Sequence, residues 1–290
     1  MKDDTGTDDE QPLLSVTDAG HAYGDVFGCR SVDFDLWPGE VLAIVGESGS
    51  GKSTLLKTVN RLTPPSSGRV LLNGQDVAAR EPYALRRTIG YVFQNIGLFP
   101  HMTVRENILI NHRIAGEQTP ADGADALLDM VELPREFAGR YPTELSGGQA
   151  QRIGVARALS GRPGLMLMDE PFGALDPVTR DSLGQAYRAL HERLGLTTIM
   201  VTHDMAEALL LADRILVMAE GRIAADAAPA SILNDDWGPE AEALVAVPRA
   251  QAERLVAMET RAENGPETGP ETGPETGPET GPETGPETGT

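Results

Sequence analysis

One cysteine, Cys29, is the whole thiol complement of this sequence. It can form no intrachain disulfide, which fits a reducing compartment, and it reads as an ordinary packed residue. Lysine is nearly as scarce, with only Lys2, Lys52 and Lys57 present. Cations as a class are outnumbered, 24 Lys and Arg standing against 44 Asp and Glu for a net charge of −20. Nucleic-acid phosphates demand clustered cations, so a nucleic-acid partner is not expected. The first ten residues and the C-terminal repeats carry about half of the acidic excess, and the rest reads as solvated surface. No apolar run approaches the roughly 20 residues of a bilayer span. The N-terminus, "MKDDTGTDDEQP", is acidic where a secretory signal is basic and then apolar. The chain is therefore expected in the cytosol unless something holds it at a membrane.

What is present is enough apolar residue, 40% of 290, for one substantial α/β core with a smaller lobe. Short apolar runs bounded by Gly, Pro or Asp predict strands at residues 31–37, 40–46, 69–74, 88–94, 164–170, 197–203 and 214–221. Helical patterns alternate with the later ones, as in βαβ units around a parallel sheet. Between residues 96 and 162 no strand signal occurs, while residues 104–114, 121–131 and 149–160 have helical spacing, so a helical lobe is expected at about 96–162. This unit runs over residues 13–247, after an acidic, disordered N-terminus at 1–12, and a helical extension is expected at 248–264. From Gly265 the sequence repeats "GPET" six times. Proline and glycine at every fourth position rule out helix and ladder alike, so residues 265–290 read as a disordered acidic tail.

The segment "GESGSGKST" at residues 46–54 satisfies the phosphate-loop pattern, after an apolar strand and before a helical run. Gly46, Glu47, Ser48, Gly49, Ser50, Gly51, Lys52, Ser53 and Thr54 are therefore candidate ATP-binding residues. Backbone N–H groups from Gly49 to Ser53 would wrap the β-phosphate, Lys52 would reach the β- and γ-phosphates, and Ser53 would ligate Mg²⁺. An acidic partner for that cation should end another buried strand. "LMLMDEP" supplies Asp169 as a magnesium ligand through water. Glu170 follows; strand alternation would point it the other way, where it could polarise an attacking water.

A second glycine-rich segment, "LSGGQAQR", precedes that strand, "GALD" follows it, and "VTHD" lies about thirty residues beyond. With the phosphate loop, these motifs resemble the nucleotide-binding subunit of an ATP-binding cassette (ABC) transporter over roughly residues 13–233. The resemblance implies a P-loop NTPase α/β fold with a mainly parallel core sheet, an N-terminal antiparallel β subdomain and an inserted helical subdomain. It implies that Tyr23 stacks on adenine, an ordinary core tyrosine being the alternative. It implies that Gln94 reaches Mg²⁺ and the attacking water, that His203 contacts the γ-phosphate, and that Asp176 is the D-loop aspartate. Where the family usually has serine, this sequence has Gly173. The resemblance also explains two phosphate grips in one chain. Leu145, Ser146, Gly147, Gly148 and Gln149 would cover ATP bound to a second copy, so that a homodimer encloses two ATP molecules.

Around the glutamine, "IGLFPHMTV" is similar to the ATPases of osmoprotectant importers for glycine betaine, choline, carnitine or proline, although "LFPHMTV" is shared with other importers. The implied partners are integral-membrane permease subunits and, indirectly, a substrate-binding protein, with this chain held at the cytoplasmic face of the membrane. The coupling helix of the permease would dock near Leu98, Phe99 and Pro100, for which lobe packing is the alternative. Many osmoprotectant ATPases continue into paired CBS domains that sense ionic strength; this sequence continues into the GPET tail, so regulation by that route is not expected. Soluble ABC ATPases carry coiled coils or a second cassette, and neither pattern occurs here.

Overall fold

The computed structural model describes residues 11–118 and 123–263; residues 1–10 and the GPET tail, read above as disordered, lie outside the described residues. Packing divides the chain into two units, residues 1–248 and 249–290. The chain runs through β1 (Leu14–Tyr23), β2 (Val26–Leu36), β3 (Val41–Val45), α1 (Lys52–Val59), β4 (Ser67–Leu72), β5 (Gln75–Asp76), α2 (Pro82–Arg87) and β6 (Ile89–Val92). Four helices follow, α3 (Val104–Ile108), α4 (Ile110–Ala115), α5 (Gly123–Met130) and α6 (Gly147–Leu159), and then β7 (Leu165–Asp169). The remainder is α7 (Pro177–Leu194), β8 (Thr198–Val201), α8 (Met205–Leu211), β9 (Arg214–Ala219), β10 (Arg222–Ala227), α9 (Pro229–Asn234) and α10 (Pro239–Glu263).

Six strands form one sheet in the order β10-β9-β3-β8-β7-β6, parallel throughout except for β10, which pairs antiparallel at one edge. β2, β1, β4 and β5 form a separate antiparallel sheet. A parallel strand buried on both faces must be apolar at every position, and β3 is: Leu42 and Ile44 join one apolar cluster while Ala43 and Val45 join the other. β9 splits the same way, Leu216 and Met218 against Ile215 and Val217. The first cluster lies against α1, through Leu55, Leu56 and Val59, and against the antiparallel sheet, through Leu14, Val32 and Val70. The second packs on the helices inserted between β6 and β7, through Ile108, Leu128, Ile153 and Val155. Among the described residues 96–162 contain no strand.

Several boundaries differ from the sequence reading, each for a local reason. The apolar pattern marks no strand at β1, because register shifts between Val16 and Ala19, with Asp18 at φ 46°, break its alternation. The run at 88–94 is strand only to Val92, so Gln94 lies in the loop beyond β6. The run at 104–114 is two helices meeting at Leu109. α6 begins at Gly147, two residues before the expected start, because Ser146 and Gln149 form a capping box. The expected extension at 248–264 is the later part of a helix that starts at Pro239, a residue suited to a first turn.

Candidate active site

Four parallel strands release their chains at one edge of the sheet: β3 into the phosphate loop, β6 into Gln94, β7 into Glu170 and β8 into His203. Carboxyl ends of parallel strands are where α/β folds place ligands. The loop after β3 needs its glycines. A Cβ on Gly46 would lie 2.2 Å from Met218 O, and one on Gly51, at φ 104°, would lie 2.2 Å from Gly28 O. The first bond of α1 is made by Leu55 N to Gly51 O at 2.9 Å, so the amides of Lys52, Ser53 and Thr54 precede it and face the end of the helix. Lys52 is buried, and its Nζ donates to Gly46 O (2.8 Å) and Glu47 O (2.7 Å). Burial pulls its pKa down, and the charges of Glu170 and Asp169 push it back up.

Both oxygens of buried Asp169 are engaged. Ser53 Oγ donates to Oδ1 at 2.9 Å and Tyr91 hydroxyl donates to Oδ2 at 3.3 Å. The Tyr91 hydroxyl is held far above its ordinary pKa, first by burial and then by the Asp169 charge, so it remains a donor. No motif in the sequence marks Tyr91; its place on β6, next to β7, brings it there. Glu170 departs from expectation. It has left the strand, at φ 46°, with its N–H on Val201 O at 2.9 Å. A non-glycine residue in that region costs about 1–3 kcal/mol. The turn delivers Glu170 Oε2 to Gln94, whose Nε2 donates at 2.9 Å, and to His203, whose Nδ1 lies 3.3 Å away. A Cβ at Gly173 would stand 3.5 Å from Glu170 Oε2, at ordinary van der Waals distance, so a side chain there would sit beside this carboxylate.

Tyr23 is 55% exposed, which sets it apart from a core tyrosine, and His21 packs edge-on against its ring with centroids 4.5 Å apart. Leu145–Gln149 and Asp176 form a second group. Gln149 N donates to Ser146 Oγ (3.3 Å), Ser146 N donates to Gln149 Oε1 (3.0 Å), and Thr179 N donates to Asp176 Oδ1 (3.0 Å). Hydrogen bonds from the Thr179 hydroxyl and backbone hold Asp176 below its ordinary carboxylate pKa. A Cβ on Gly147 would lie 3.4 Å from Leu175 Cδ2 and one on Gly148 would lie 2.8 Å from Thr179 Cγ2, so the two loops are packed together. Among the described residues, neither Leu145–Gln149 nor Asp176 hydrogen-bonds to residues 46–54.

Hydroxyl and carboxylate oxygens 2.9 Å apart, from Ser53 and Asp169, suit a hard cation such as Mg²⁺. Among the described residues no three His, Cys, Asp or Glu side chains cluster to chelate a metal unaided, so such a cation would need phosphate oxygens as well. Beside His203, Thr202 Oγ1 donates to Glu207 Oε2 at 2.8 Å, while Glu207 Oε1 is buried with no partner. Burial pushes the Glu207 carboxyl up to about 7. Because the native carboxyl then binds its proton more tightly than the unfolded one, stability from this group is full below about pH 4.5 and is lost as pH rises through 7. Glu207→Gln, which resembles the protonated acid, is expected to flatten that loss and to gain roughly 2–3 kcal/mol over wild type at pH 8. Denaturant melts of both proteins at pH 4.5 and pH 8 check it; parallel curves would contradict it.

The comparisons with known proteins agree on the fold. The profile of the family described as ABC transporter matches residues 29–173. A carnitine transport ATP-binding protein of Listeria monocytogenes is 51% identical over 199 residues, covering 68% of this chain and 50% of that protein. A glycine betaine/carnitine/choline transport ATP-binding protein of Bacillus subtilis is 47% identical over 226 residues, covering 77% of this chain and 60% of that protein. The chain thus spans half to three-fifths of these curated relatives. A solved dimeric bacterial ABC transporter cassette superposes with a TM-score of 0.68 at 31% identity, covering 75% of this chain and 99% of that one.

Proposed function

This chain belongs to the ABC transporter family, and from that premise we propose that it is the ATP-hydrolysing subunit of a membrane importer. In this reading it dimerises around two ATP molecules and drives uptake of a quaternary-amine osmoprotectant such as glycine betaine, choline or carnitine. The observation that carries the chemistry is Glu170 Oε2, met by Gln94 at 2.9 Å and His203 at 3.3 Å, one residue after an Asp169 held to Ser53. Glu170 takes the proton of the attacking water, while Gln94 and His203 fix its carboxylate. Lys52 exchanges its loop carbonyls for the β- and γ-phosphates, and the amides from Gly49 to Ser53 wrap the phosphate chain. Tyr23 offers an exposed ring to adenine, stacking worth about 1–3 kcal/mol. Ser53, Asp169 and Gln94 are the residues that would hold Mg²⁺, which neutralises phosphate charge when bound. The γ-phosphate is closed off by Leu145–Gln149 of a second copy, with its Asp176 alongside, where the N-terminus of a 13-residue helix favours an anion.

The solute class is supported by the names of the two transport ATP-binding relatives and by "IGLFPHMTV" after Gln94. Among the described residues no helix is long and apolar enough to cross a membrane. Permease subunits then hold the chain at the cytoplasmic face, and a substrate-binding protein delivers solute from the other side. Reconstitution with the permease in proteoliposomes tests this: ATP-dependent uptake of labelled betaine, choline or carnitine is expected. Uptake of a polar amino acid, iron or a polyol in their place would contradict the solute class.

Phe99 is the residue to test for docking. Asn107, fully buried, accepts from Phe99 N (2.7 Å) and donates to Phe99 O (3.1 Å), which holds the loop rigid while the Phe99 side chain stays 41% exposed. Leu98, partly buried against the core, is the less clean choice. Phe99→Glu is expected to lower transport at least tenfold while ATPase activity of the isolated subunit stays within about twofold, as befits a lost apolar anchor in a groove. Equal loss of both activities would point to lobe packing instead.

A further inference from the structure

The group around Glu170 and the group at the start of α6 are joined by one side chain that the chemistry above does not use. Arg180 lies in the first turns of α7. Its Nη1 donates to Asp204 Oδ2 at 3.0 Å and its Nη2 donates to Leu175 O at 3.1 Å, while its Nε is buried with no partner. Asp204 follows His203 and caps α8, its Oδ1 accepting from Ala206 N (2.9 Å) and Glu207 N (3.3 Å). The turn is pinned on its other side as well. Thr202 N donates to Ile44 O at 3.1 Å, and Asp204 N donates to Thr202 Oγ1 at 3.0 Å. His203 is thus carried on a short turn whose outward anchor is Arg180. At the other end of the guanidinium, Leu175 precedes Asp176 and packs beside Gly147. One planar fork therefore holds the loop that faces this subunit's nucleotide and the loops offered to a second copy.

We propose that Arg180 is a positioning residue that couples the two nucleotide sites of the dimer through each subunit, by tying the His203 turn to the Leu175–Asp176 loop. The inference rests on the dimeric ATPase reading. A guanidinium fixes the spacing of its two acceptors, so a shift of the His203 turn on meeting the γ-phosphate displaces Leu175, and with it Asp176 and the residue-145–149 loop that close the opposite site. Lysine at this position keeps the charge but offers no rigid fork to two acceptors.

The test is steady-state ATPase of the full chain against ATP concentration, with fluorescent-ATP affinity and unfolding temperature measured alongside. Wild type is expected to be cooperative, with a Hill coefficient between 1 and the limit of about 2 set by two sites. Arg180→Gln and Arg180→Lys are expected to bring it to about 1 with nucleotide affinity unchanged. Asp204→Asn, in which asparagine still caps α8, is expected to do the same. A merely structural arginine would lower unfolding temperature or active fraction and leave the Hill coefficient alone. Wild-type cooperativity in Arg180→Gln overturns the proposal; if that variant does not fold, the same result in Asp204→Asn overturns it. Wild-type hydrolysis without cooperativity also overturns it, and leaves the ATPase reading standing. A wild type that hydrolyses no ATP ends both.

Discussion

Lys52→Ala is expected to abolish detectable ATP binding, and turnover with it, in a protein that still folds. Nζ makes its bonds to Gly46 O, Glu47 O and, more distantly at 3.4 Å, Ser50 Oγ, all within the phosphate loop. Removing it leaves the two apolar clusters intact, since neither includes this side chain. The loop loses its internal cation, at a cost of about 1–3 kcal/mol for charged hydrogen bonds. The nucleotide loses the only lysine in the loop, so the effect on binding is far larger than the effect on folding. Equilibrium titration with a fluorescent ATP analogue, with circular dichroism to follow the fold, checks this. Tight binding in a folded mutant would put the nucleotide elsewhere.

Glu170→Gln is expected to slow hydrolysis by roughly 10²–10⁴-fold while ATP binding survives. Glutamine keeps the shape of the side chain, and its amide oxygen can still accept from Gln94. Asp169, held by Ser53 and Tyr91, is untouched. What is lost is the basic oxygen that, in the proposed mechanism, takes the water's proton. Single-turnover measurement with saturating protein separates this from a binding defect: the rate constant falls and the titration midpoint does not. Unchanged turnover would remove Glu170 from the chemistry.

Much of this candidate site is legible in the sequence, because its grammar is local. The phosphate loop is spelled by spacing, and the end of a buried strand is marked where "LMLM" meets Asp169. What could not be read was direction. Alternation along β7 predicts Glu170 facing away from Asp169, but a left-handed residue at φ 46° sets its carboxylate on Gln94 and His203, and no pattern of apolar residues encodes that angle. β1 carries no readable strand pattern for a related reason, since its shifts in register erase the period of two. The capping box of Ser146 and Gln149 was available in the sequence as Ser-x-x-Gln, and it explains why α6 starts at Gly147. Tyr91 and Arg180 carried no local signal. Tyr91 meets Asp169 across 78 residues of chain and Arg180 meets Asp204 across 24, so only the packed sheet and helices reveal them.

The central claim is that the two grips of one chain serve two different ATP molecules, and size-exclusion chromatography of Glu170→Gln tests it most directly. With ATP retained between the phosphate loop of one copy and Leu145–Gln149 of another, this mutant is predicted to elute as a dimer in ATP and as a monomer without it. Adding Ser146→Arg puts a bulky side chain in the opposite grip and leaves residues 46–54 untouched; the double mutant is predicted to bind ATP and elute as a monomer. A double mutant that still dimerises with ATP would contradict the account, because Ser146 would then not face the nucleotide of the second copy.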